Sequence, residues 1–207
     1  MKNPTIRVGV IGAGGNTKQF HIPGLQAQPG VEIVAVANRS LGSARKVAKA
    51  FNIPTACETW EDIIYDDEID AVCIGTWPYM HAPLVIAALE SEKHVLCEAR
   101  MAMNAAEAHT MAEVARTHPA LTAQIVPAPL TFKVDNVIAD MVGEGYIGNL
   151  ISADVRVALG SDFPQWASPV HWRHLREFSG NNIMTMGIFY ESIMRWLGTA
   201  KSVQALG

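Results

Sequence analysis

Residues 6–17 read IRVGVIGAGGNT. Val8, Val10 and Ile11 form a short β-branched run, the pattern of a parallel strand buried on both faces. Gly12, Gly14 and Gly15 follow at once, then polar Asn16 and Thr17. A strand that runs into glycines at G-x-G spacing and then towards a helix is the phosphate-binding turn of a dinucleotide fold. Gly12 lets the chain turn sharply, and Gly14 leaves the backbone open to a pyrophosphate. The helix beyond offers free N–H groups and the positive end of its dipole. Thr17 stands where the fingerprint usually has a third Gly or Ala. A glycine turn at a strand end can also be purely structural, so the neighbouring segments have to decide.

They alternate. Pro23 is tolerated in a first helical turn, so the sequence predicts a short turn around Lys18 to Phe20 and a helix from about Ile22, ended by Pro29-Gly30. Residues 31–37 (VEIVAVA) are the second strand, and Ser40 caps a helix over 41–51 striped with Leu41, Ala44, Val47, Ala48 and Phe51. A shorter helix begins at Glu58 or Thr59. Strands follow at 70–75, 94–97 and 121–126, separated by helices over 82–89 and from the Asn104 cap to Arg116. This order predicts a doubly wound parallel sheet with right-handed crossovers over residues 1–126. The pattern changes at Pro127-Ala128-Pro129. Residues 127–207 read as the start of an α+β domain. It has a helix over 134–141, an alternating strand over 151–159, a loop over 160–174, a helix over 183–197 and a strand beginning at 201–206. One strand and one helix leave open edges, so these residues are expected to be a partial domain, or to lean on the first domain or a second subunit.

Composition narrows the partners. Of 207 residues, 49% are hydrophobic and 17% charged, which suits a compact folded chain. The formal charge of −4 gives no reason to expect nucleic acid or an acidic membrane. Cys57, Cys73 and Cys97 match neither a zinc spacing nor a disulfide framework. No apolar run is long enough for a bilayer, and the first strand begins within a few residues. A cytoplasmic location is the expectation.

The chain resembles the Gfo/Idh/MocA oxidoreductases. The resemblance is carried by VGVIGAGG at 8–15, HIPGL at 21–25, AVANRS at 35–40, DAVCIGT at 70–76, His81 and KHVLCEA at 93–99. Beyond them it continues in GEGYIGNLISADV at 143–155, HWR at 171–173 and RWLG at 195–198. It implies an N-terminal Rossmann domain, a C-terminal open-sheet domain that packs subunits into a homo-oligomer, and a nicotinamide cofactor. The departures fall on the chemistry. Where the family pattern has Glu-Lys-Pro, this chain has Glu98, Ala99 and Arg100. Where it has Asp, Gly, His and Asp along the catalytic helix, this chain has Thr185, Gly187, Phe189 and Ser192. Alanine and phenylalanine have no titratable proton, so the family's usual proton-handling groups are missing. The family's Thr-Pro-Asn reads Thr76-Trp77-Pro78.

Each candidate has an ordinary alternative. Gly12, Gly14, Gly15 and Asn16 form the phosphate turn. Asn38 stands where an Asp or Glu would hold the ribose hydroxyls and favour NAD. Arg39 can pair with a 2′-phosphate and Ser40 can donate to it, which favours NADP with NAD as second choice; otherwise Arg39 is a surface residue beside a helix cap. Glu98, at the end of a parallel strand, contacts ribose or nicotinamide amide, or caps a helix. Thr76, Trp77 and His81 shape the cofactor pocket, with Tyr79 beside Trp77; ordinary packing is the alternative. Arg100 binds an anionic substrate or is solvated. Tyr190 and Glu191 are the nearest protic groups on the catalytic helix, although Arg195 lies at ion-pair spacing from Glu191. His171 and His174 flank Trp172 and Arg173 in a loop expected to face the cleft, which makes His171 a catalytic candidate, although a lone histidine is more often structural; the two lack a third metal ligand, so no metal site is expected. His21, His94, His109 and His118 read as structural.

The leading expectation is an NADP-dependent oxidoreductase that passes a hydride between nicotinamide and a hydroxyl-bearing carbon of a sugar, polyol or related small molecule. The substrate class follows from the resemblance alone. The alternative is a non-catalytic dinucleotide-binding or scaffold protein. A methyltransferase-like site fits the glycine turn but not the downstream stretches.

Overall fold

The computed structural model describes residues 5–127, 133–157, 169–181, 184–204 and 206. Strand β1 (Ile6–Ile11) opens a six-stranded sheet with β2 (Val31–Ala37), β3 (Thr55–Cys57), β4 (Ala71–Ile74), β5 (His94–Cys97) and β6 (Ala123–Ile125). The strand order is β3-β2-β1-β4-β5-β6 and every pairing is parallel. The order reverses between β1 and β4. In such a sheet the crevice at that switch, outside the carboxyl ends of the strands, is where ligands bind.

Helices α1 (Ile22–Gln26), α2 (Leu41–Phe51), α3 (Glu61–Ile64), α4 (His81–Glu90) and α5 (Ala105–Thr117) join the strands. Two buried clusters form, as a doubly wound sheet requires. Val8, Val10, Val36, Ile22 and Val47 belong to one, and Ile11, Val72, Ile63, Leu84 and Met111 to the other. Neighbouring residues of β1 thus fall into different clusters, the period-two signature of a strand with two covered faces. Caps match the sequence. Ser43 N–H donates to Ser40 Oγ at the start of α2, and Glu107 N–H to Asn104 Oδ1 at the start of α5.

Several expectations need correction. The short turn expected around Lys18 to Phe20 is helical. A widened π-helical turn, Thr17–His21, runs straight into α1, with Ile22 N–H bonded to Thr17 O. Pro23 has no N–H, and its ring crowds the carbonyl four residues earlier, so a wider turn before it keeps the helix going. Strand β3 was not anticipated, because three residues are too few to show alternation. Residues 151–157 pair with no strand among the described residues, nor do 201–204. Alternation alone makes no strand without a partner backbone. Residues 158, 159 and 160–168 of the expected strand and loop lie outside the described residues, as does Ile183.

Two compact units divide the chain. One comprises Met1–Val126 with Trp172–Asn182; the other comprises Pro127–His171 with Ile183–Gly207. The first includes a 3-10 turn, Trp172–His174, and the short α7 (Arg176–Ser179). In the second, α6 (Asp135–Gly143) and α8 (Met184–Leu197) are tied by Asp135. Its carboxylate accepts from Arg195 Nη2 at 3.0 Å and from Trp196 Nε1 at 2.9 Å. Among the described residues no helix is long and apolar enough to cross a membrane.

Candidate active site

The carboxyl ends of β1, β2 and β4 enclose a cleft of about 540 Å³, lined among others by Gly12, Gly14, Asn38, Arg39, Thr76 and Trp77. Gly12 has φ +85°, and a Cβ there would lie 2.7 Å from Thr76 N and 2.8 Å from Thr76 Cα. Only glycine fits this contact between the β1 and β4 ends. Gly14 differs. A Cβ on it would meet only Gly75 O, at 3.9 Å, and a Cβ on Gly15 would meet nothing within 4 Å. The backbone there faces open space, as a pyrophosphate cradle should. Thr17, at the third fingerprint position, is buried and donates to Gly12 O at 3.2 Å. Its hydroxyl occupies the space a Cβ on Gly75 would need. The Thr76 hydroxyl oxygen is buried with no hydrogen-bond partner among the described residues. Open glycine backbone and an unspent hydroxyl in one cleft fit a dinucleotide.

Asn38 holds the cleft's other wall. Its Oδ1 accepts from Ala13 N–H at 2.7 Å, and its Nδ2 donates to Ser43 Oγ at 3.0 Å. The amide is therefore spent on fixing the glycine turn to the end of β2, and no carboxylate stands there. Arg39 is exposed, with its guanidinium carbon 5.8 Å from the Trp77 ring centre. Trp77 in turn stacks on Trp172, with centroids 5.2 Å apart and planes 14° apart. Phe178 packs against both Trp77, at 5.0 Å, and Tyr79, at 5.7 Å. Trp77, Tyr79, Trp172 and Phe178 thus form one aromatic cluster, of which Trp77 and Tyr79 line the cleft.

At the end of β5, Glu98 is held from three directions. Its Oε1 lies 2.5 Å from His21 Nε2 and also accepts from Asn16 Nδ2, while its Oε2 accepts from Ala99 N–H at 2.9 Å. Burial pushes its carboxyl pKa up, but these hydrogen bonds and the His21 charge outweigh it and leave the pKa below the ordinary value. Glu98 is no helix cap.

His81 is fully buried. Its Nδ1 lies 2.7 Å from Arg100 O and its Nε2 3.1 Å from Thr76 O. Burial lowers its pKa against the pull of those carbonyls. It is a strut between the β4 and β5 ends. Arg100 donates from Nη1 to Ser179 O and Oγ, and burial, then the nearby Arg173 charge, lowers its pKa. Arg173 lies 4.4 Å from the Trp172 ring centre.

The remaining candidates fall in the second unit. Glu191 pairs with Arg195 at 3.2 Å, the helical ion pair that the spacing allowed. Tyr190 and His171 are exposed. Among the described residues no group of three or more His, Cys, Asp or Glu is placed to hold a metal. Cys57, Cys73 and Cys97 are buried free thiols.

Sequence reading gave His21 no partner. HIPGL marked the position, but its partner lies 77 residues away. Trp172 and Phe178 were missed as wall residues for the same reason: nothing local brings residues 172–178 to Trp77.

Comparison with known proteins agrees with this architecture. The family model described as an oxidoreductase family with an NAD-binding Rossmann fold matches residues 6–124. A trans-1,2-dihydrobenzene-1,2-diol dehydrogenase of Mus musculus is 30% identical over 186 residues, covering 89% of this chain and 54% of its own. The crystal structure of KijD10, a 3-ketoreductase from Actinomadura kijaniata in complex with NADP, is 32% identical with a TM-score of 0.61, covering 70% of this chain and 46% of its own. A biliverdin reductase from Synechocystis, 22% identical with a TM-score of 0.76, covers 95% of this chain and 60% of its own and shares the fold. The chain spans about half the length of the curated relatives it matches.

Proposed function

Because the chain belongs to the Gfo/Idh/MocA oxidoreductase family with its NAD(P)-binding Rossmann fold, we propose that it binds NADP in the cleft at the β1–β4 switch and oxidises or reduces a small molecule there. The observation that carries the NADP preference is the end of β2. Asn38 supplies no carboxylate to repel a 2′-phosphate, and exposed Arg39 offers a guanidinium to pair with it. Bound nicotinamide supplies hydride acceptance or donation. Gly14 and Gly15 seat the pyrophosphate, and Thr76 offers its unspent hydroxyl to the cofactor. The aromatic wall of Trp77, Tyr79 and Trp172 excludes water from one side.

The substrate in this reading is a sugar, polyol or related compound with a hydroxyl-bearing carbon, and Arg100 is positioned near the β5 end to favour an anionic one. Work in the cytoplasm as a homo-oligomer assembled through residues after 127 completes the proposal. A second reading, a dinucleotide-binding protein without catalysis, is favoured by Ala99 and Phe189 at the family's proton-handling positions. A screen with NADP and NADPH against sugars, polyols and their oxidised forms separates the two. Turnover supports the first reading. Tight cofactor binding with no turnover supports the second.

A further inference from the structure

Oxidising an alcohol releases a proton as well as a hydride, and Ala99 and Phe189 cannot take it. The groups around the β5 end can be sorted by whether they could. Cys73 is pushed up to about 12 by burial and by the Glu98 charge, and burial raises Cys97 as well. His81 is sealed, with both nitrogens at carbonyl oxygens. Lys18 is the basic residue on the same widened turn as His21. His21 itself has one nitrogen at the Glu98 carboxylate and no hydrogen bond at Nδ1 among the described residues. Its side chain keeps 13% of its surface exposed.

A carboxylate only accepts hydrogen bonds, so the ring proton belongs on Nε2, which leaves the Nδ1 lone pair as a base. Asn16 donates to the same carboxylate oxygen and fixes it. The pair sits at the ligand-binding rim. Asn16 is two residues beyond Gly14 of the cleft, and Glu98 N–H bonds Ile74 O, one residue before Gly75 of the cleft.

We propose that His21, oriented by Glu98 and Asn16, is the proton-handling group of this chain, replacing the lysine and histidine that it lacks. The role rests on the oxidoreductase reading above. In the oxidation direction the substrate O–H bond breaks and its electron pair becomes the second C–O bond. Oxidised nicotinamide, when bound, would accept the carbon's hydride, and the proton goes to His21 Nδ1. Glu98 acts through His21 as a positioning residue, since its charge stabilises the imidazolium. The logic is that of a carboxylate-oriented histidine base.

The test uses the whole protein, with and without NADP. Imidazole nitrogen NMR should find His21 protonated at Nε2 and open at Nδ1. In Glu98→Gln the ring should no longer be held in the single Nε2–H tautomer, because an amide can donate as well as accept. A proton on Nδ1 in wild type, or the same single tautomer in Glu98→Gln, overturns the proposal. On any substrate turned over, His21→Gln keeps a donor for Glu98 but cannot accept a proton. Its kcat should fall roughly 10²–10⁴-fold and lose its acid limb, with NADP affinity nearly unchanged. His21→Gln with wild-type rate and pH profile also overturns it. NADP binding with no turnover of any panel compound supports the non-catalytic reading and defeats the His21 role with it. Wild type that binds no NADP defeats the oxidoreductase reading and the His21 role with it, whereas wild type that binds NADP with an inert His21 defeats the proposal alone.

Discussion

The ends of β1 and β5 lie on the same rim of one sheet yet are built on different principles. At the β1 end the work is done by backbone: Gly12 closes on Thr76, and Gly14 and Gly15 leave their surroundings open. At the β5 end it is done by side chains from distant segments, with Glu98 holding Asn16 and His21. Backbone sites depend on which residues have no side chain. Side-chain sites depend on which partners the fold brings together. The first kind tolerates almost no substitution, while the second can be rebuilt with different residues, as Ala99 and Arg100 beside an intact Glu98 suggest.

Substitutions within the β1 end should separate fold from binding. Gly12→Ala puts a Cβ against Thr76 backbone at a φ of +85°, and we expect a loss of about 3 kcal/mol of stability. A urea melt checks it, and a wild-type midpoint would contradict the close contact. Gly14→Val meets no such clash. Its melt should match wild type while NADPH affinity falls about 100-fold, roughly 2.7 kcal/mol, because the branched side chain fills the cradle. Equal affinity would remove Gly14 from the site. Arg39→Ala should cost NADPH about tenfold or more and leave NADH nearly untouched, since a charge-assisted bond to phosphate is about 1.5–3 kcal/mol.

The smallest effect belongs to the β5 end and depends on pH. The folded-state pKa of Glu98 is depressed, so its contribution is complete above the ordinary glutamate value of about 4.3 and is lost as pH falls through the folded value. Glu98→Gln should therefore be less stable than wild type at pH 7, and the gap should close in acid. Urea melts across that range check it. A gap that widens as pH falls would show that the carboxylate is not favoured in the folded state.

How much of this was legible follows the same division. IRVGVIGAGGNT and the alternating segments after it implied the parallel sheet and the glycine cradle, because a buried strand and a glycine turn are local patterns. Strand β3 was hidden by its three residues. The alternation in 151–157 suggested a strand, but pairing is a property of two segments. Asn38 was readable as a missing carboxylate, though its grip on Ala13 was not. His21 showed no partner in the sequence because Glu98 stands 77 positions away. Glu191 was weighed against its ion pair with Arg195, and the helix makes that pair, because i, i+4 spacing is local.

The central claim is that the cleft at the β1–β4 switch is an NADP site, and a direct binding titration tests it. Trp60 and Trp77 line the cleft, so energy transfer from tryptophan to the reduced nicotinamide reports occupancy there. Adding NADPH should give saturable transfer, with affinity at least about tenfold tighter than for NADH, as a charge-assisted bond to the 2′-phosphate requires. No saturable transfer with either nucleotide, or equal affinity for both, would contradict the account.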